Sequence, residues 1–159
     1  MENQKDWIVA GDAKWSFNED ELMGEISAGN GFIMTNDVYS DFELELEFFP
    51  DSSVNSGVFV RCAQQELSAT ECHEINIWDF HPTQENRTGA IVNKATYINF
   101  VETINRWNTY RIKCYKNTTQ VWINETMTAE YKDSTRLAGF IGLQTAMSGT
   151  IRFRNIWIK

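Results

Sequence analysis

The sequence predicts an all-β domain, a sandwich or barrel of short antiparallel strands. Three observations carry this. Phe42-Glu43-Leu44-Glu45-Leu46-Glu47-Phe48 alternates apolar and polar residues without a break, the period of a strand with one buried face. No window of a dozen residues sustains a 3.6-residue period. The 2 prolines, Pro50 and Pro82, both fall at expected strand exits, where a missing N–H does no harm.

The other strands follow in order. Val58-Phe59-Val60-Arg61 comes after a glycine, and Glu74-Ile75-Asn76-Ile77-Trp78 alternates. Between them, residues 64–71 have room for one helical turn. Trp107 to Tyr115 alternates through Tyr110, Ile112 and Cys114, and Gln120-Val121-Trp122-Ile123 returns after a four-residue turn, which predicts a hairpin. Gly139 to Leu143 reads as a buried strand. In the last run Ile151 and Phe153 set one apolar phase and Ile156 and Ile158 the other. The phase switch predicts a β-bulge or bend at Arg154-Asn155.

The chain has 159 residues, the length of one domain with a substantial core. One β-sandwich domain is expected over 1–159, with the polar segment 1–6 either disordered or added for expression. Hydrophobic residues at 42% and aromatics at 13% exclude a disordered chain. With 14 Lys+Arg against 22 Asp+Glu, the net charge is -8. That balance argues against a nucleic-acid partner, which needs a basic surface, and offers anionic lipid no basic anchor. No apolar run approaches the ~20 residues of a membrane helix, and residues 1–6 hold no apolar signal-peptide core, so two readings stay open, a cytoplasmic protein or a mature form behind an added Met.

The 3 cysteines are too few for a disulfide scaffold. Cys62 and Cys72 flank a polar loop and could pair, whereas Cys114 alternates in phase with core residues. No Cys-x-x-Cys occurs, which speaks against structural zinc. The three Asn-x-Thr sequons, at Asn86, Asn117 and Asn124, are chance matches in a chain rich in Asn and Thr.

Candidate functional residues are polar side chains that interrupt apolar strands without structural need. Glu43, Glu45 and Glu47 are a solvated strand face. Arg61, Glu74, Asn76 and Gln144 instead sit among Val, Ile and Leu. Glu74, Asn76 and Trp78 share a face because they are two apart, and the same rule puts Phe59 with Arg61. Two readings stay open: an Arg61–Glu74 ion pair that fixes register, or a polar floor that binds sugar hydroxyls beside a stacking Trp. Asn55, Asp79 and Gln144 join the second reading as substrate-binding candidates. His81 follows Trp78-Asp79-Phe80 at the strand exit, beside the presumed site. The loop Asp51 to Ser56 is rich in oxygen but lacks EF-hand spacing, so a divalent cation such as calcium remains an open alternative to having no cofactor.

Six segments together resemble one family. Asn55-Ser56-Gly57-Val58-Phe59-Val60-Arg61 is similar to its Asn-Ser-Gly-Ile-x-x-Arg strand, and His73-Glu74-Ile75-Asn76-Ile77 to its Tyr-Glu-Val-Gln-Ile strand. Thr88-Gly89-Ala90-Ile91, Trp107-Asn108, Gly142-Leu143-Gln144 and Phe153-Arg154-Asn155-Ile156 follow in the family's order. The family is the 3-keto-disaccharide hydrolase domain, and the resemblance spans Trp7 to Lys159. It implies a two-sheet antiparallel jelly-roll sandwich of the concanavalin A-like lectin/glucanase type. It also implies a saccharide or glycoside ligand and a periplasmic or extracellular, secreted setting.

The implied chemistry is elimination at a sugar oxidised at C3. Such a site needs a base at C2, a positive group at the C3 oxygen and an acid at the leaving oxygen. Glu74, Arg61 and His81 are the expected base, enolate stabiliser and acid. The chain departs from the family at Asn76, where Gln is usual, and at Thr145-Ala146, where a His is often found. These departures keep two rivals open: a non-catalytic carbohydrate-binding module and a protein-interaction domain.

Overall fold

The structure, a computed structural model, describes residues 7–18 and 20–159. The segment 1–6, expected outside the ordered domain, lies beyond the described residues. Twelve strands form two antiparallel sheets. They are β1 (Trp7–Gly11), β2 (Lys14–Phe17), β3 (Leu22–Ile26), β4 (Asn30–Thr35), β5 (Phe42–Pro50), β6 (Val54–Cys62), β7 (His73–Ile77), β8 (Asn108–Tyr115), β9 (Thr118–Ile123), β10 (Thr126–Lys132), β11 (Phe140–Met147) and β12 (Gly149–Ile158). The five-stranded sheet runs β1-β4-β11-β6-β7, and the seven-stranded sheet runs β10-β9-β8-β5-β12-β3-β2. The all-β two-sheet expectation holds.

The alternation of β5 sets the core. Leu44, Leu46 and Phe48 point inward with Tyr110, Ile112 and Cys114 of β8. They meet Val58, Val60, Ile75, Ile77 and Leu143 of the other sheet. Cys114 is 1% exposed, in phase with its neighbours as the sequence predicts. The bulge in β12 falls where the phase switches: pairing with β5 slips between Arg154 and Trp157, and Asn155 takes φ 51.

Residues 64–71 form a bent loop that ends in the single helical-type turn expected there, with Cys72 N–H donating to the Ser68 carbonyl at 2.8 Å, and a Cys62–Cys72 disulfide closes its base. The described helical structure is a 3-10 turn at Gln84–Asn86, in the long connection from β7 to β8. Among the described residues no helix is long and apolar enough to cross a membrane.

Candidate functional site

Register decides which side chains meet on the outer face of the five-stranded sheet. Gly57 of β6 pairs with Asn76 of β7 on one side and Gln144 of β11 on the other. Directly opposed residues of antiparallel strands share a face, so Asn76, Gly57 and Gln144 form one row. The next row holds Glu74, Phe59, Gly142 and Met34. The row on the other side holds Asn55 with Ala146 and Asn30. Strands lie ~4.8 Å apart, so Asn76 and Gln144 stand ~10 Å apart across a residue with no side chain. The edge of the Phe59 ring leans over that glycine, where a Cβ would come within 3.3 Å of Phe59 Cε2. Glu74 is ~7 Å along the strand from Asn76.

The amides of this row are fixed on one side only. Asn76 Nδ2 donates to the Asn86 carbonyl at 2.5 Å, and Gln144 Nε2 to Asn30 Oδ1 at 3.2 Å. The opposite atoms, Asn76 Oδ1 and Gln144 Oε1, are buried and accept no hydrogen bond from any of the described residues. Leaving such an acceptor unpaired costs about 1–3 kcal/mol. The backbone beneath is held firmly. Tyr110 reaches across the sandwich and donates its hydroxyl to the Asn76 carbonyl at 2.6 Å, while Gly89 N–H donates to Tyr110 Oη at 3.0 Å. Burial pushes the Tyr110 hydroxyl well above its usual range, so it stays a donor.

Glu74 is half-buried, and burial raises its carboxyl to about 7 against a weaker lowering by Lys94. Its side chain takes no hydrogen bond and no ion pair among the described residues. Beside it the 63–71 loop covers the Glu74 row. Leu67 packs with Met34 and Phe59 and fills the notch left by Gly142, where a Cβ would come within 2.8 Å of Leu67 Cδ2.

The expected Arg61–Glu74 pair does not form, and Arg61 does not share a face with Phe59. Arg61 takes φ 55, and the β11–β6 pairing slips next to it, from Phe140↔Cys62 to Gly142↔Phe59. The alternation of β6 therefore breaks, and the guanidinium turns to the interior. It is 0% exposed, donates from Nη1 to the Arg136 carbonyl at 2.7 Å, and faces Cys114 and His73. His73 is equally internal. Its Nδ1 meets Thr119 Oγ1 at 3.0 Å and its Nε2 meets Asp133 Oδ2 at 3.1 Å. Burial pushes the imidazole below its ordinary value despite the carboxylate.

The remaining candidates divide. Trp78 continues the Glu74–Asn76 face and packs edge-on to His81 with ring centroids 4.5 Å apart. His81 Nδ1 accepts from Thr83 N–H at 3.0 Å, which leaves its proton on Nε2. Asp79 is committed to structure: it accepts from Thr103 N and Oγ1, each at 2.8 Å, and pairs with buried Arg87 at 3.5 Å. The Asp51 carboxylate likewise accepts from Ser53 N–H, Val54 N–H and Thr150 N–H, so this loop folds around backbone donors. Among the described residues no three His, Cys, Asp or Glu side chains gather as a metal site would. A cavity of about 110 Å³ lies elsewhere, between Trp7, Leu22, Phe153 and Trp157. Glu74 stands half-buried at the β7 end of its row, and the Phe59 and Met34 side chains of that row are buried under the loop.

Sequence reasoning missed Gly57 as a floor, the covering loop and Lys94. Gly57 had a signal, since a glycine inside a strand marks close approach of another group. Lys94 had none, because only the folded β7–β8 connection brings it near Glu74.

The comparisons with known proteins fit this fold. Residues 2–159 match the model of the 3-keto-alpha-glucoside-1,2-lyase-like domain. The chain belongs to that family. A solved Parabacteroides distasonis protein, provisionally described as a glycosyl hydrolase, is 27% identical, with a TM-score of 0.77 over 91% of this chain and 89% of that one. The carbohydrate binding module CBM66 from Bacillus subtilis shares the fold at 16% identity and TM-score 0.72, covering 97% and 95%. A Bacillus licheniformis β-glucanase does so at 13% identity and TM-score 0.66, covering 97% and 91%. No curated protein matches the sequence.

Proposed function

We propose that this domain cleaves a 3-keto glycoside by elimination across C1 and C2, with Glu74 as the base. The observation that carries the reading is a half-buried carboxyl at about 7, without a partner among the described residues, beside two amide oxygens that those residues leave unpaired. A base poised near neutral pH is both ionised often enough and basic enough to move a proton. Membership of a family described as lyase-like supplies the reaction class.

The ketone at C3 acidifies the C2 proton. Glu74 takes that proton, and the C–H electron pair forms a C2=C3 bond while the carbonyl pair moves onto the C3 oxygen. The enolate then re-forms C3=O and makes C1=C2, and the C1–O bond breaks with its electrons on the leaving alcohol. Addition of water across C1=C2 makes the net result hydrolysis. Sugar hydroxyls would donate to Asn76 Oδ1 and Gln144 Oε1 above Gly57, with small shifts of the side chains that bury these oxygens. Trp78 offers a stacking face toward the leaving group, and His81 Nε2–H is the acid for the departing oxygen. Arg61 has no place in this scheme.

The test is release of nitrophenol from a nitrophenyl 3-keto-α-glucoside by wild type and by Glu74→Gln. The reading expects turnover that Glu74→Gln loses. Tight binding of unoxidised glycans with no turnover of any 3-keto glycoside would favour the carbohydrate-binding alternative. The missing His after Gln144 is the observation on that side.

A further inference from the structure

We infer that Lys94 is the cationic group of this site, positioned to hold the negative charge that develops on the C3 oxygen, the role the sequence suggested for Arg61. The inference rests on Glu74 being the base. The chain after Gly89 runs along the free edge of β7: Asn76 N–H donates to the Ala90 carbonyl at 3.1 Å and Val92 N–H to the Glu74 carbonyl at 2.9 Å. It then turns back on itself, with Lys94 and Ala95 N–H both bonded to the Ile91 carbonyl. That turn sends the Lys94 side chain toward the covering loop, where Nζ donates to the Ala69 carbonyl at 2.5 Å. The loop lies over the Glu74 row and Lys94 starts beyond β7, so the side chain crosses the outer end of β7 beside Glu74.

Lys94 is the cation whose field reaches the Glu74 carboxyl. The other charged groups nearby are engaged or face away. Arg61 and His73 lie on the inner side of the sheet, and Glu71 of the loop pairs with Arg136 at 3.1 Å. Lys94 and Glu74 form no ion pair among the described residues, so neither neutralises the other. An ammonium has three donors, and the Ala69 carbonyl uses one. A fixed cation where an enolate forms favours the transition state without reorganisation at the moment of reaction.

The experiment compares wild type with Lys94→Met, Lys94→Arg and Lys94→Gln. One readout is the titration of the Glu74 carboxyl, followed by NMR in 13C-glutamate-labelled protein and assigned with Glu74→Gln. The other is kcat and KM for a 3-keto-α-glucoside across pH. For Lys94→Met we expect the Glu74 midpoint to rise and the acidic limb of the rate profile to move to higher pH with it. We also expect kcat to fall ~100- to 1,000-fold, the usual cost of losing one oxyanion donor, with KM within a few-fold. Lys94→Arg should restore both readouts. Lys94→Gln keeps a donor for Ala69 but no charge, so full rate in that variant would show a structural strap and overturn the proposal. An unmoved Glu74 midpoint, or a moved midpoint with unchanged kcat, would overturn it too. If Glu74→Gln were as active as wild type, the base would be wrong. A Lys94→Met defect that persisted in that background would still support Lys94.

Discussion

The two outer faces of the sandwich are built from the same strand period and solve their electrostatics in opposite ways. On the seven-stranded sheet β5 carries outward carboxylates at Glu43, Glu45 and Glu47, and the last two pair with cations at the C-terminal end of the chain. Glu47 meets Arg154 at 2.6 Å, Glu45 meets Lys159 at 3.2 Å, and Glu21 takes Arg152 at 2.7 Å. Arg154 also lies 3.9 Å from the Trp107 ring centroid, which covers the aromatic surface. On the five-stranded sheet Glu74 has no ion pair among the described residues, and the adjacent amides keep oxygens that none of those residues bonds. The carboxyls respond accordingly: Glu47 and Glu21 are held below the usual range mainly by hydrogen bonds from Asn155, Arg154 and Arg152 that outweigh desolvation, whereas Glu74 is lifted to about 7 by burial. A face that satisfies itself is structural; a face that leaves polar groups unpaired has room for a ligand.

The sharpest way to break the contrast is to remove the unpaired carboxyl. Glu74→Gln should lower turnover of a 3-keto glycoside by ~100- to 10,000-fold, measured as kcat/KM against a matched melting curve. Equal activity would erase the functional half of the comparison.

The same substitution should raise stability at alkaline pH. A group near 7 in the folded protein, against 4.5 for an ordinary glutamate, binds more protons folded than unfolded between those values. It therefore costs stability as pH rises through 7. The cost saturates at about 2–3 kcal/mol. Denaturant melts at pH 8.5 should show Glu74→Gln more stable than wild type by that order, and the advantage should vanish near pH 4. His73 has the opposite sign. Held neutral by burial, it costs stability as pH falls below 6.5, so a Glu74→Gln protein should lose stability between pH 7 and 5 more steeply than wild type.

A smaller effect separates binding from folding. Gln144→Leu removes an acceptor that has no donor among the described residues, together with one long, exposed hydrogen bond to Asn30 Oδ1, so the fold should lose little. A bound hydroxyl would lose one hydrogen bond, roughly 1–1.5 kcal/mol. We expect KM to rise about tenfold with the melting temperature nearly constant. A large fall in stability with unchanged KM would make Gln144 structural.

The smallest effect belongs on the other face. Glu47→Gln breaks a solvent-screened pair, and such pairs contribute about 0–1 kcal/mol. Stability should fall by no more than that, and turnover should be unchanged.

Much of this contrast was legible in the sequence. Period 2 placed Glu74, Asn76 and Trp78 on one face, and the phase switch in β12 located its bulge. β10 escaped notice because Thr126-Met127-Thr128-Ala129 carries its own register slip and no clean alternation. Arg61 was misplaced for a related reason. Period 2 assumes extended backbone throughout, and one residue at φ 55 inverts everything after it. The Cys62–Cys72 bridge was half visible, since cysteines flanking a loop between adjacent strands come close only if those strands pair. Lys94 was invisible, because its place depends on a turn within a connection without periodicity.

That bridge also bears on how the chain finds its fold. Most pairings in the five-stranded sheet join distant segments: β6 meets β11 from Val54↔Met147 to Cys62↔Phe140, more than seventy residues apart. Closing long loops before contacts repay the cost makes folding slow. The β6–β7 hairpin is the exception, with Val60 opposite His73 and a covalent clip of sequence separation 10 just beyond. A loop of that size held shut in the unfolded chain removes about 2–3 kcal/mol of closure entropy. The oxidised chain thus begins its search with the strands that carry Gly57, Glu74 and Asn76 already neighbours. Thiols kept reduced by their surroundings would leave that meeting to diffusion, and the same residues would assemble later and less often.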